Sequence, residues 1–441
     1  MLRNTLQWWA VLTAVIVLAG CQRTVRLMPA PVAVTRGGHS PFAANPSLEK
    51  SNLVDIFYAT NRVPLGPRDA RLYSIVPGKP LYLGRATVRI GRRDKSWDDL
   101  YSLSTTDSQA RRPALWLDSL DEMATVQDPK SATVLTDEAR GFFEAIDQAL
   151  AQSLDKDLTV YIHGVNTTVA GAAAQAAQYR HFTGRNSVVL LFAWPSAGRG
   201  IRYFTDVRNT RASVPSFARL LDLLARHTTA EHIDIVAYSA GSQVLSPGLV
   251  ELRRIRRRES LDGARLGELY FAAPDLALPT FARQLPHYIH SVRRVTVSAN
   301  MNDAPLALST FVHGVSRLGR PDSADLSDAD FDWVAKAAEK LDFDLISVRP
   351  EEIPGLSRRS HAFWYEHPWV SSDVLMKLLY HVPPATRGLE RNLYRQRFPF
   401  WTFPADYDRR VVEILRELRS GRPVASAPQS AGAAAPGVDA K

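Results

Sequence analysis

An α/β architecture, a mostly parallel sheet with helices on both faces, is the fold class this sequence predicts, and three observations carry it. From about Asp137 onward, short apolar runs alternate with stretches of helical spacing, the pattern of strands joined by crossover helices. Those strand runs are continuously apolar rather than alternating, as expected when helices bury both faces of a sheet. One of them, HIDIVAY, passes directly into the small-residue stretch SAGSQ, which opens the next helical run.

At the amino terminus, Arg3 precedes an apolar stretch from Trp8 to Ala19, too short for a bilayer span of about 20 residues but suited to a signal-peptide core. It ends in Leu18-Ala19-Gly20-Cys21, similar to the lipobox of bacterial lipoproteins, and Cys21 is the only cysteine. That resemblance implies a signal peptide over residues 1–20, cleavage before Cys21 and lipidation there. Several acyl chains make a stable membrane anchor where one is marginal. Gln22 stands where an aspartate would imply inner-membrane retention, so the expectation is an outer-membrane anchor facing the periplasm. With Cys21 used in this way, no disulfide is available within the chain.

Residues 21–50, rich in Pro, Gly, Ala and Ser, read as a tether. Residues 51–130, with the runs VDIFYAT and PLYLGRATVRIG, read as a β-rich N-terminal extension, and residues 131–419 as the main α/β domain. Residues 420–441 are low-complexity and read as a disordered tail. The main-domain strands are DLTVYIHG, NSVVLLFAWPS, HIDIVAY, LGELYFAAPD, RRVTVSANMND and FDLISVRPEE, with helical runs such as AGAAAQAAQYR and SFARLLDLLARH between them. The net charge is +9, and the main charge run is RRIRRR (Arg253 to Arg258), a helical run without interleaved aromatics. It reads as a solvated face and not as a nucleic-acid site.

Chemistry in such sheets sits at the carboxyl ends of the strands. Ser239 follows HIDIVAY at a strand-to-helix turn of the G-x-S-x-G kind, which strains the backbone and exposes the hydroxyl as a nucleophile. Gly241 keeps the pattern, whereas Ala237 adds a methyl where the first glycine belongs. A serine nucleophile needs a base and an orienting acid, in chain order Ser, acid, His. Asp303, ending VSANMND, is the preferred acid and Asp275, ending FAAPD, its rival. His361, in SRRSHAFWYEHPWV, is the preferred base and His367 its rival, while His313 and His381 read as ordinary surface or packing residues. An oxyanion requires backbone donors, for which the N–H groups of Val165, after His163-Gly164, and of Ala240 are the candidates, with His163 ordering the loop. No Cys/His cluster, HExxH spacing or nucleotide fingerprint appears, so no metal or cofactor is expected.

The ordered set FYATNR, LGRATVRI, YIHGVNT, FAWPS with Tyr203 and Asp206 downstream, AYSAG, FAAPD, SANMNDAPLALS and SHAFWY resembles a bacterial α/β-hydrolase family of unknown function. The resemblance implies an α/β-hydrolase fold, Ser239, Asp303 and His361 as a triad, and an N-terminal extension that belongs with the hydrolase. The expected activity is cleavage of carboxylic esters, lipid esters included, by a membrane-anchored enzyme. The alternatives are acyl transfer or amide cleavage by the same triad, or a catalytically silent envelope lipoprotein that binds through the same scaffold. Residues 304–345 are a candidate lid.

Overall fold

The computed structural model describes residues 24–37, 40–68, 71–108, 110–127, 135–198 and 202–420. Within them one sheet holds β1 (Leu53–Leu65), β2 (Leu72–Ile90), β3 (Leu115–Val126), β4 (Leu158–Ile162), β5 (Val188–Phe192), β6 (Ile233–Tyr238), β7 (Leu266–Ala272), β8 (Val292–Ala299), β9 (Phe343–Ser347), β10 (Glu390–Tyr394) and β11 (Phe398–Thr402). Their spatial order is β10-β11-β9-β8-β7-β6-β4-β5-β1-β2-β3. From β11 across to β1 every neighbouring pair is parallel, and the antiparallel pairs β10–β11 and β1–β2–β3 close the two edges.

Burial explains the unbroken apolar runs. In β4, Leu158, Val160 and Ile162 enter one core and Tyr161 the other; in β5, Leu190 and Phe192 face the first and Val189 and Leu191 the second. The helices Asp137–Gln152, Tyr203–His227, Ser242–Ile255 and Asp328–Lys340 cover the first face, and Val169–Phe182, Pro368–Tyr380 and Tyr407–Ser420 the second. Side-chain caps start several of them: Thr136 accepts the Ala139 N–H, Thr168 that of Gly171, and Ser327 that of Asp330.

The β-rich region 51–130 forms no sheet of its own. Phe57, Tyr58 and Ala59 of β1 pair in parallel with Leu190, Leu191 and Phe192 of β5, which makes these long strands a continuation of the main sheet.

Two expectations need correction. Residues 21–50 read as a tether, but over the described part Leu27, Met28, Val32 and Val34 are buried in the second core, and Phe42 is buried against the rings of Trp97, Tyr101 and His181. The Leu27 N–H bonds to Pro113 O at 2.9 Å, and the Met28 N–H to the Gln178 side chain. A few apolar residues spaced among prolines suffice to dock a segment onto an existing core, although they form no periodic element. Residues 304–345 do not form a lid as a unit, because Val334, Ala335 and Ala337 of helix Asp328–Lys340 are buried against the sheet. Helix Ala304–His313, capped by Asp303, borders the candidate site described below. Cys21, the signal segment and the tail after residue 420 lie outside the described residues.

Candidate functional site

Ser239 leaves β6 with φ +53°, in the left-handed region. A non-glycine residue there costs on the order of 1–2 kcal/mol, a strain that recurs where a side chain must be presented. The two small positions around it are unequal. A Cβ on Gly241 would lie 2.6 Å from Ile162 O and 2.9 Å from His163 O, so the helix start has no room for one against the end of β4. Ala237 is fully buried within the first core, where its methyl is simply packed. The Ser239 carbonyl accepts the Asp275 N–H at 3.0 Å and the Ser242 hydroxyl at 2.6 Å, so the turn is tied on its far side.

His361 Nε2 lies 2.8 Å from Ser239 Oγ, and His361 Nδ1 lies 2.6 Å from Asp303 Oδ2. Asp303 is fully buried, and its other oxygen accepts the Leu306 N–H at 2.9 Å as the N-cap of helix Ala304–His313. One carboxylate therefore starts a helix and holds an imidazole. Since it can only accept, Nδ1 carries the hydrogen, which leaves the Nε2 lone pair for the serine hydroxyl. Burial alone would lower the His361 pKa; the adjacent Asp303 carboxylate outweighs it, with smaller contributions from Asp275 and Glu366, and the net shift is upward. The buried Asn300 joins the two loops: its side chain donates to Ser360 O at 2.9 Å and accepts the Asn302 N–H at 2.9 Å.

The rival residues go elsewhere. Asp275 does not reach His361: its carboxylate takes Arg317 Nε and Ser309 Oγ, each at 2.6 Å, and Tyr203 OH at 3.0 Å. Its backbone runs beside the Ser239 turn, so its side chain points to helix Ala304–His313 and Arg317. Nor does it cap a helix, since helix Leu278–Gln284 begins at Ala277 with no side-chain cap. His367 is the N-cap of helix Pro368–Tyr380, accepting the Trp369 N–H at 3.2 Å, with Nε2 donating to Pro354 O at 2.9 Å. These partners occupy both of its ring nitrogens.

The loop after β4 lies against Ser239, because a Cβ on Gly164 would come within 3.0 Å of the Ser239 Cβ. This brings Val165 to the nucleophile's side of the sheet, with its own side chain partly packed on the first core. His163 is buried and stacked on Trp194 at 4.9 Å, and the indole N–H donates to His163 O at 2.7 Å. Burial, with the charge of Arg62, pushes the His163 pKa down to about 3, so the ring is neutral and orders the loop. Asp206 accepts the Asn166 N–H at 3.0 Å, the Ser196 hydroxyl at 2.6 Å and the Ala197 N–H at 2.8 Å, clamping the loops after β4 and β5 together. The buried Arg62 adds bonds to the carbonyls of Ala193, Ser196 and Thr167. Arg62, Asn300 and Arg317 had no role assigned from sequence. The visible signal was the place of Arg62 in FYATNR and of Asn300 in SANMND, while Arg317 lies outside both, and a guanidinium such as that of Arg62, which bonds only carbonyls of other segments, leaves no local pattern.

Residues 139–350 match the model of a family described as an alpha/beta hydrolase of unknown function (DUF900). The matched stretch contains Ser239, Asp275 and Asp303 and stops short of His361. No curated protein matches the chain. By the topology of its mostly parallel sheet, the helices on both faces and this match, the chain has an α/β-hydrolase fold.

Proposed function

We propose that this protein is a serine hydrolase that cleaves carboxylic esters, with Ser239 as nucleophile, His361 as base and Asp303 as the orienting acid. The observation that carries the reading is the unbroken chain of contacts from Ser239 Oγ through His361 to Asp303, at 2.8 and 2.6 Å. Ser239 Oγ attacks the acyl carbonyl while Nε2 of His361 takes its proton; the imidazolium is held by Asp303 and returns the proton to the leaving alcohol. The N–H groups of Val165 and Ala240 receive the oxyanion, and removing one such donor costs roughly a hundred- to a thousand-fold in turnover in enzymes of this kind. Water, activated by the same histidine, then releases the acyl group.

An apolar acyl portion suits the surroundings. Phe204, Met301 and Phe311 are large exposed apolar residues on the elements that carry Tyr203, Asp303 and Ser309. Lipid anchoring through Cys21 on the periplasmic side of an outer membrane belongs to the same reading and would bring the site to lipid esters. Among the described residues no helix is long and apolar enough to cross a membrane. Incorporation of labelled palmitate that disappears in Cys21→Ser tests the anchor.

The enzyme reading is tested with a fluorophosphonate probe and a series of p-nitrophenyl esters, thioesters and amides. Wild type is expected to label and to turn over esters best, and Ser239→Ala to lose labelling and about 10⁶-fold in turnover. Unlabelled wild type, or labelling that persists in Ser239→Ala, overturns it.

A further inference from the structure

The amino-terminal ends of the same strands carry a group of charges that ester cleavage does not use. Asp157 and His232 lie just before β4 and β6, Asp155 and Glu231 precede them, and His381 ends helix Pro368–Tyr380. Asp157 is central. Its Oδ1 accepts the His232 N–H at 2.9 Å and lies 3.1 Å from His232 Nδ1, while its Oδ2 lies 3.2 Å from His381 Nε2. Donor atoms of Asp155, Asp157 and His381 fall within 4.8 Å of one another, as do those of Asp157, Glu231 and His232.

A second observation points to a ligand. Asp234 is fully buried; its Oδ1 accepts the Glu268 N–H at 2.6 Å, but its Oδ2 has no hydrogen-bond partner and faces His381 Nδ1 at 3.9 Å. A buried acceptor left unmade is costly, and charge makes it more so. The local charges do not compensate it. Against Asp155, Asp157, Glu231, Asp234 and Glu268 stand Lys377, paired with Glu268, and Arg293, whose Nη1 is 3.8 Å from Asp157 Oδ2 and whose Nη2 contacts the His232 ring. A cation would remove the surplus.

We propose that Asp155, Asp157 and His381 bind a divalent transition-metal ion, with Zn²⁺ the best chemical match and Asp234 orienting the histidine. Imidazole nitrogen together with carboxylate oxygen favours zinc-like ions over calcium or magnesium. With Nε2 of His381 on the metal, Nδ1 must carry its hydrogen, and Asp234 Oδ2 stands where a metal-bound histidine's carboxylate partner is found. The ion would join the start of β4 to the end of helix Pro368–Tyr380. It lies at the far end of β6 from Ser239, about 20 Å away at roughly 3.3 Å per residue, so its role is structural. No spacing motif announces the site because its ligands come from chain segments more than two hundred residues apart.

The test uses the full chain stripped with a chelator and titrated with Co²⁺, followed by its visible ligand-field absorption and by competition with Zn²⁺. The expected result is one Co²⁺ per chain, displaced by Zn²⁺, with Zn²⁺ raising the melting temperature. His381→Asn keeps a residue that tolerates the left-handed backbone at φ +51°. It and Asp155→Asn are each expected to bind at least tenfold more weakly and to lose the Zn²⁺-induced rise, and Asp234→Asn to bind about tenfold more weakly. Stripped wild type that gives no Co²⁺ band, or His381→Asn and Asp155→Asn that bind as wild type does, an adventitious ion only, overturns the proposal.

Discussion

Asp303 and Asp234 are both fully buried aspartates at the ends of parallel strands, yet they stand at opposite rims of the sheet in opposite circumstances. At the carboxyl rim each buried carboxylate meets its donors: Asp303 has the Leu306 N–H and His361, Asp275 has Arg317, Ser309 and Tyr203, and Asp206 has Ser196, Asn166 and Ala197. At the amino rim, Asp234 Oδ2 and Glu268 Oε1 have no partner. At the carboxyl rim each group's position is fixed by its neighbours. The amino rim holds negative charge that protein groups alone leave uncompensated.

The largest effect expected from that contrast is on turnover. Asp303→Asn retains a good N-cap residue, so helix Ala304–His313 should survive, yet ester turnover should fall about 10⁴-fold as the imidazole loses its acceptor. Steady-state kinetics beside circular dichroism would show it, and an unchanged rate would make Asp303 a capping residue only. Asp275→Asn should show the reverse pattern. It weakens a buried pair with Arg317 and is expected to cost on the order of 3 kcal/mol in urea unfolding, with a much smaller loss of turnover than Asp303→Asn.

At the amino rim, Lys377→Met leaves Glu268 with no cation in a fully buried position and should cost roughly 3–5 kcal/mol, whereas Lys377→Met with Glu268→Leu should recover most of it. Chemical denaturation of the three proteins checks this.

The pH profile gives a smaller but directional result. Under the proposed mechanism the base form of His361 is the active one, and its pKa is raised above the ordinary histidine value of 6.5, so the acid limb of the turnover profile should lie above that value. In Asp303→Asn the limb should move down, because burial is then opposed only by the smaller contributions of Asp275 and Glu366. The same shift favours the protonated fold. The His361 contribution to stability is full below the unfolded value and fades as pH rises through the folded one, so activity and this contribution change in opposite directions. Smallest of all, Tyr203→Phe removes one hydroxyl donor from Asp275 and should cost about 1 kcal/mol by thermal unfolding.

The two rims also differ in how much of them was legible beforehand. Strands β4 to β9 were readable because burial on both faces demands continuous apolar residues, and Ser239 because a strand-to-helix turn demands small neighbours. The hairpin of β10 and β11 gave no such signal. Its turn places Arg395 and Gln396 at positive φ, +48° and +56°, where Asn-Gly would have announced it. The docked segment from Leu27 to Phe42 is concealed by its prolines, and the amino-rim cluster by the distance along the chain between Asp157 and His381.

Sequence by itself determined the α/β class, the strand ends at which chemistry is sought, and the residue types available there, because periodicity and turn chemistry are local. Which aspartate meets which histidine was decided only by the tertiary structure. Asp275 and Asp303 follow adjacent strands, and the sequence prefers Asp303 without excluding Asp275; the choice falls to how each loop leaves the sheet: one runs back along the Ser239 turn toward Arg317, the other is held by Asn300 against the loop that carries His361.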